Sequence, residues 1–166
     1  MDSSLGVSAK DILNVFSEKE LSTIFFKYGE ERYARKIAKE IKKDISNIHT
    51  VGDLTRLIYK AVPAADKSTN KNPSRRVFQA LRIAVNDEFG ALDAFLRALP
   101  YCLRPGGRVA ILTFHSGEDR RVKAAFKAGL QRGDYAAIAT DVMRASAEEQ
   151  RANPRSSPAK LRWAIR

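Results

Sequence analysis

The stretch PGGRVAILTFHS, residues 105–116, decides the fold of this chain. It begins with a proline–glycine turn, continues as an apolar run and ends with the polar pair His115 and Ser116. An apolar run that does not alternate with polar residues, bounded by turn residues, is typical of a strand covered on both faces. Ligands of open α/β sheets bind outside the carboxyl ends of the strands, so we expect chemistry or ligand recognition at His115 and Ser116.

A basic amphipathic helix precedes this strand, in the stretch PSRRVFQALRIAVNDEF at residues 73–89. Proline is favoured in the first turn of a helix, so Pro73 marks its start. Its predicted buried face carries apolar residues spaced four apart, namely Val77, Leu81 and Val85. The apolar pattern continues beyond Gly90, and we expect this glycine to bend or break the helix into two.

The first half of the chain, residues 1–88, is predicted to be entirely helical. Capping-box spacings at Ser8 and Ser17 mark two helix starts, and Thr50 begins a third helix. Gly29 follows an amphipathic segment and is the expected left-handed cap of the second helix.

The second half, residues 89–166, is predicted to be an α/β piece with about three strands. After the strand described above we expect a helix over residues 118–130 that ends before Gly133, then strands over 136–143 and 161–165. The two later strands fill one side of the first strand as a hairpin. Its other edge finds no partner in this sequence, and an exposed apolar edge invites self-association.

The chain is strongly basic, with 30 lysine and arginine residues against 19 acidic ones and a net charge of +11 over 166 residues. This excess favours an anionic partner, of which nucleic acid is the commonest, although a merely soluble basic protein is the alternative. No stretch approaches the ~20 apolar residues of a membrane span, so we expect no membrane partner. No cluster of cysteine and histidine has the spacing of a metal site, so no metal is expected.

A single cysteine, Cys102, lies in an apolar stretch and is expected to be a small buried hydrophobic residue. One cysteine cannot staple the fold, which favours a reducing compartment. The first residues lack the pattern of a secretory signal. We therefore expect a cytoplasmic location, and an organelle interior also fits.

Several ordered strings of this sequence resemble the 16S ribosomal RNA cytosine-N4 methyltransferases, the RsmH/MraW family. The resemblance covers nearly all of the chain and rests on YGEERYARKIA (28–38), PSRRVFQALRIAVNDE (73–88), PGGRVAILTFHS (105–116), EDRRVK (118–123), NPRSS (153–157), residues 161–165 and the MD…GVSA step at the start. Two departures are Asn72, where the family has His, and Gly117, where it has Leu.

The resemblance implies the C-terminal portion of a class I, Rossmann-like methyltransferase sheet, comprising its last three strands, with an all-helical inserted domain. On this interpretation residues 1–88 hold the insertion and residues 89–166 the second half of the α/β domain. The family's cofactor is S-adenosylmethionine, bound by an N-terminal half with a glycine-rich loop. Gly106 and Gly107 precede a strand rather than a helix, so they are not a phosphate cradle, and we assign no cofactor-binding residue here.

The expected reaction is N4-methylation of a cytidine in small-subunit ribosomal RNA, with the RNA or a ribosomal particle as partner. The expected catalytic residues are His115, Ser116 and Asn86. We expect Phe114 to stack on the base. A structural role for His115, as a cap of the next helix, is the alternative.

Further RNA contacts are expected from Asp119 and Arg120, which would orient the site or hold the backbone. A basic run supplies point charges for phosphates, namely Lys71, Arg75, Arg76 and Arg82. The alternative is a solvated helix face, with Arg82 paired internally.

Because the family's cofactor half is not matched, we expect this chain to be inactive by itself. One alternative is a non-catalytic RNA- or protein-binding module derived from the family. Another is an incomplete gene model.

Overall fold

The computed structural model describes residues 6–63 and 72–166. The chain divides into two compact units, Met1–Glu88 and Phe89–Arg166. The first unit is helical in its described residues, and the second combines helices with a small sheet. The chain is therefore an α/β protein, as predicted.

The described residues of the first unit form five α-helices and a short 3-10 helix. They are α1 Ala9–Val15, α2 Glu18–Gly29, α3 Ala34–Lys43, the 3-10 helix Ile45–Asn47, α4 Val51–Ala61 and α5 Pro73–Asn86. The predicted capping boxes at Ser8 and Ser17 are confirmed, and the predicted helix start at Thr50 has the same arrangement. Each of these side chains accepts the backbone N–H of the residue three positions on, and the carboxylate of that residue accepts the backbone N–H of the capping residue. Three of the helix starts are thus set by local sequence.

The core of the first unit lies where α2 packs against α3 and α5. Its fully buried side chains include Leu21, Phe25, Ile37, Ile41 and Leu81. The Lys42 ammonium group in α3 also donates hydrogen bonds to the carbonyls of Leu13 and Asn14 in α1, at 2.8 and 3.0 Å. These carbonyls lie in the last turn of α1, where the helix itself supplies no N–H partner.

The role predicted for Gly29 is wrong. Gly29 is the last residue of α2, and the left-handed residue is Glu30, with φ 53°. A Cβ at position 29 would lie 2.5 Å from the carbonyl oxygen of Arg76 in α5. Glycine is required here because two helices approach closely, and not because the chain turns.

The break predicted at Gly90 is also misplaced. The long helix ends at Asn86, Asp87 adopts a left-handed conformation with φ 46°, and α6 runs over Glu88–Cys102. The Glu88 carboxylate accepts a hydrogen bond from the Asn86 amide at 3.0 Å. Side-chain bonding across the break favours a turn at Asp87, and Gly90 stays helical.

The second unit contains four strands and two further α-helices after α6. They are β1 Arg108–Thr113, α7 Ser116–Arg132, β2 Ala137–Ile138, β3 Met143–Arg144, α8 Ala147–Ala152, the 3-10 helix Pro154–Ser156 and β4 Lys160–Ile165. Gly133 has φ 81° and caps α7, as predicted.

β4 is the shared partner in this sheet. It pairs antiparallel with β1 from Arg108↔Ile165 to Thr113↔Lys160, and on its other side with β2 and β3. The single strand predicted over residues 136–143 is therefore wrong, because that segment forms two short strands. The chain bends between them at Thr140 and Asp141.

One face of β1 is open in the described structure, so the prediction of coverage on both faces is wrong for these residues. Val109 and Ile111 pack on the core that Val122 and Phe126 of α7 help to form. Leu112, which points to the opposite face, keeps 51% of its surface exposed. Within residues 6–63 and 72–166, β1 pairs only with β4, so its other edge has no partner strand.

Cys102 is exposed at the end of α6, so its predicted burial is wrong. No helix among the described residues combines the length and the apolar character that crossing a membrane requires.

Candidate functional site at the end of β1

The loop that follows β1 is fixed by a cap on α7. His115 is the N-cap residue, and its Nδ1 accepts the Glu118 backbone N–H at 3.4 Å. The Glu118 carboxylate accepts in turn the N–H of Phe114 at 3.0 Å and lies 3.1 Å from His115 Nε2. The alternative role for His115, capping the next helix, is therefore present in the structure.

The ring of Phe89, in α6, supports this cap from below. The centroid of the Phe89 ring lies 5.6 Å from the centroid of the His115 ring. The guanidinium carbon of Arg121 lies over the face of the Phe89 ring, 3.6 Å from its centroid. A Cβ at Gly117 would lie 2.6 Å from Phe89 Cζ. The absence of a side chain at position 117 is thus what lets Phe89 pack here.

A groove of about 520 Å³ opens beside this loop. Its apolar wall comprises Leu112, Phe114 and Met143, of which Phe114 is 53% and Met143 56% exposed. Arg144 and Arg155 also line it, together with one carboxylate, Glu149. Neither guanidinium forms an ion pair with a carboxylate of the described residues. We call this feature the β1 groove.

Exposed apolar surface beside unpaired arginines suits a ligand with a flat apolar ring and a negative charge. An aromatic ring such as that of Phe114 offers a stacking surface to a base, and arginine is well suited to phosphate. The β1 groove therefore has the chemistry of a nucleotide-binding surface.

Asp119, predicted to contact RNA, is buried beneath the site. Its carboxylate accepts hydrogen bonds from Arg162 Nε at 2.7 Å and from Lys160 Nζ at 3.3 Å, both in β4. Burial by itself raises the pKa of the Asp119 carboxyl, but the hydrogen bonds and positive charges of Arg162 and Lys160 outweigh it and lower that pKa. Asp119 is therefore ionised and ties α7 to β4.

The other predicted residues of this loop lie at the start of α7. Ser116 is the first residue of the helix and is half-buried, whereas Arg120 is exposed one turn later. The structure thus brings Phe114, His115, Ser116 and Asp119 to one end of β1. Their roles toward a substrate remain predictions.

The remaining predicted residues belong to the first unit. The Glu88 carboxylate holds two of them, because Arg82 donates to both of its oxygens at 2.8 and 3.0 Å and Asn86 donates to one. Arg76 is half-buried and pairs with the buried Glu31 at 3.4 Å. Arg75 is exposed at the start of α5, and Lys71 lies outside the described residues.

No group of three or more potential metal-ligating side chains comes together among residues 6–63 and 72–166. The described geometry therefore offers no basis for assigning a metal ion.

Comparison with known proteins assigns the family. A family model described as the MraW methylase family matches residues 1–166. The chain belongs to the MraW methylase family. Its relatives named ribosomal RNA small subunit methyltransferase H include those of Acaryochloris marina, 44% identical over all of this chain and 55% of the relative, and Synechocystis sp., 43% identical over 99% of this chain and 52% of the relative. The resemblance found from sequence motifs is thus confirmed.

This MraW-family chain spans about half the length of the curated relatives it matches. A third relative, named ribosomal RNA small subunit methyltransferase H 1, from Agathobacter rectalis, is 43% identical over 97% of this chain and 48% of its own length. The matched half contains the β1 groove and its supporting residues.

Sequence reasoning missed Met143 and Arg144 as lining residues of the β1 groove. The strand predicted over residues 136–143 included Met143 but ended before Arg144. Both residues reach the groove through pairing of β3 with β4. Arg155 lies in the NPRSS string, one of the strings that resemble the family. That string was the sequence signal from which Arg155 could have been predicted as a residue of the site.

Proposed function

We propose that this protein takes part in S-adenosylmethionine-dependent methylation of small-subunit ribosomal RNA at N4 of a cytidine, and that the β1 groove holds the base. Membership of the MraW methylase family and the names of the relatives support the reaction class. The observation that carries the assignment of the groove is the exposed Phe114 ring beside Arg144 and Arg155.

The sheet order supports the proposed class I, Rossmann-like architecture. β4 lies between β1 and β2 and runs antiparallel to both, so β1 and β2 are parallel to each other. A parallel sheet can continue from the edge of β1 that has no partner among the described residues, and further strands there would cover it. The site then lies at the carboxyl end of a strand, where α/β proteins bind ligands.

The described residues do not form a site for S-adenosylmethionine. Gly106 and Gly107 lie in the turn that leads into β1, and no helix N-terminus follows them to receive a ligand. The positive charges of Arg144 and Arg155 would repel the sulfonium of the cofactor. S-Adenosylmethionine would supply the methyl group.

The residues described here can orient a base. The amine of cytosine is a weak nucleophile because its lone pair is delocalised, so the base must be held in line with the methyl donor. Phe114 would stack on the base, and Arg144 and Arg155 would hold flanking phosphates. His115 would act as a positioning residue because both of its ring nitrogens face Glu118. Ser116 would place a polar group at the amine. Asn86 remains a predicted catalytic residue.

Binding of a labelled single-stranded oligocytidylate to the full chain tests the groove. Replacing Phe114 by Ala should weaken binding about tenfold, because stacking on an aromatic ring contributes roughly 1–3 kcal/mol. Tyr101→Ala, at an aromatic residue that is 80% exposed and does not line the β1 groove, is the matched control. Equal affinities for the two variants would refute a base-holding role for Phe114.

The reaction is tested in cells that carry the gene. Removing the gene should eliminate N4-methylcytidine from small-subunit ribosomal RNA, as measured by mass spectrometry of the digested RNA. An unchanged level would favour the alternative, a non-catalytic RNA- or protein-binding module.

For the isolated 166-residue chain we expect RNA binding without methyl transfer. Turnover by that chain would overturn our assignment of no cofactor-binding residue here.

A further inference from the structure

A second groove, in the first unit, lies between α2 and α3 and has a volume of about 880 Å³. We call it the α2–α3 groove. Five basic residues line it, namely Lys19, Lys27, Arg32, Arg35 and Lys36. Glu18 is the single acidic residue of its lining. Such a concentration of one charge attracts a polyanion.

Four of the five cations of this groove take no part in the ion pairs found among the described residues of the first unit. Elsewhere in the described part of the first unit, Lys60 pairs with Glu40 at 3.0 Å and Arg56 with Asp53 at 2.9 Å. Lys19, Lys27, Arg35 and Lys36 form no ion pair with any described carboxylate. Their charges are therefore available to an external anion.

Two aromatic residues complete the groove. Phe26 projects from α2 with 64% of its surface exposed, so it contributes little to the core. Beside it, the Tyr33 ring holds Arg32 at 4.8 Å and Lys36 at 5.8 Å from its centroid. Cation–π contacts of this kind limit the freedom of the two cations before any ligand binds.

We propose that the α2–α3 groove binds single-stranded RNA, with phosphates on its cations and a base on Phe26. The choice of RNA over another polyanion rests on the proposed function. An acidic peptide would match the charge, but it has no flat ring to stack on Phe26. Alternation of cationic and aromatic side chains is the arrangement by which proteins hold single strands without sequence preference.

The charge contribution is tested by salt-dependent titration of the full chain with a labelled oligocytidylate. The double variant Lys27→Gln and Lys36→Gln should bind more weakly, and the slope of log affinity against log salt should shrink by about 1.4, or about 0.7 for each phosphate that is no longer neutralised. The matched control is Lys39→Gln with Lys43→Gln, two exposed lysines of α3 that do not line the groove. Equal slopes for the two double variants would overturn the proposal.

The stacking contribution is tested by Phe26→Ala, which should weaken RNA binding about tenfold and leave binding of polyglutamate unchanged. Polyglutamate binding as tight as RNA binding, with no effect of Phe26→Ala on either, would identify an acidic-peptide surface and refute RNA. All these positions are exposed, and circular dichroism verifies the fold of each variant.

The proposals for the two RNA-binding surfaces can be refuted independently of each other. Loss of affinity in Phe114→Ala alone would support the β1 groove and overturn the α2–α3 groove, and loss in the Lys27, Lys36 and Phe26 variants alone would do the reverse. A wild-type chain that binds no RNA would overturn both.

Discussion

The Asp119 carboxylate and the Arg162 guanidinium form a buried ion pair, with 2.7 Å between Asp119 Oδ1 and Arg162 Nε. Both side chains are about nine-tenths buried, at 11% and 9% exposure. The pair joins the first turn of α7 to the middle of β4, and α7 begins at the loop of Phe114 and His115. The position of the candidate site therefore depends on a buried electrostatic contact.

Replacing Asp119 by Asn should destabilise the second unit by about 3 kcal/mol, because it leaves the buried charge of Arg162 without compensation. Urea unfolding followed by the fluorescence of Trp163, the only tryptophan, measures the change. Asp93→Asn is the matched control, because Asp93 pairs with Arg121 at 3.4 Å near the surface. That exposed pair should contribute less than about 1 kcal/mol. Similar losses in both variants would contradict a special role for Asp119.

The same pair predicts a dependence of stability on pH. The pKa of Asp119 is lower in the folded chain than its ordinary value of 3.8, so the folded state favours the ionised carboxylate. The resulting stabilisation is complete above that ordinary value and is lost as the pH falls through the lower, folded-state pKa. Acid titration of Trp163 fluorescence should therefore show unfolding of the second unit at low pH.

Asp119→Asn supplies the control for this titration, since it removes the titrating group. Its stability should change less between pH values of about 5 and 2 than that of the wild type. A wild type and a variant that lose stability in parallel over this range would contradict the assignment to Asp119.

Gly29→Ala should destabilise the first unit by about 2 kcal/mol. The new methyl group would lie 2.5 Å from the Arg76 carbonyl oxygen, and backbone must move to relieve such overpacking. Gly52→Ala, in the first turn of α4, is the control, because its Cβ would lie 3.4 Å from the Thr50 hydroxyl oxygen, at ordinary contact. It should be neutral or stabilising, since alanine favours helix. Thermal unfolding followed by circular dichroism compares them.

Gly117 and Phe89 should behave as a coupled pair. Gly117→Ala should cost about 1–2 kcal/mol, because the new Cβ would lie 2.6 Å from Phe89 Cζ. Phe89→Leu shortens the side chain at that point and should relieve the clash. Urea unfolding of the two single variants and the double variant gives the coupling energy. The double variant should be more stable than the sum of the two single effects predicts, by more than about 0.5 kcal/mol. Strict additivity would show that the two side chains do not compete for this space.

Features specified by local sequence were the ones that could be predicted. The capping boxes at Ser8 and Ser17 appear as expected, because the interacting atoms lie within three residues of each other. The apolar run of β1 likewise identified a strand. The family resemblance was carried by strings that lie side by side in the chain.

Features specified by distant contacts were misjudged. Gly29 resembles a helix cap in sequence, but glycine is required there because the backbone of Arg76, in another helix, leaves no room for a Cβ. Asp119 lies beside arginines in sequence, and only pairing of β1 with β4 brings Arg162 to it. Arg144 reaches the β1 groove in the same way, so no window of sequence around it indicates that place.

Because β4 is the partner of the other three strands, the sheet can form only late in protein synthesis. β1, β2 and β3 all precede β4 in the chain, and each of their described ladders is made with β4. The first unit can fold while the rest of the chain is being translated, since domains fold as units from the N-terminal side. No ladder of this sheet can close until residues 160–165 have emerged from the ribosome. A premature stop codon at position 160 would remove β4 and leave β1, β2 and β3 without a common partner.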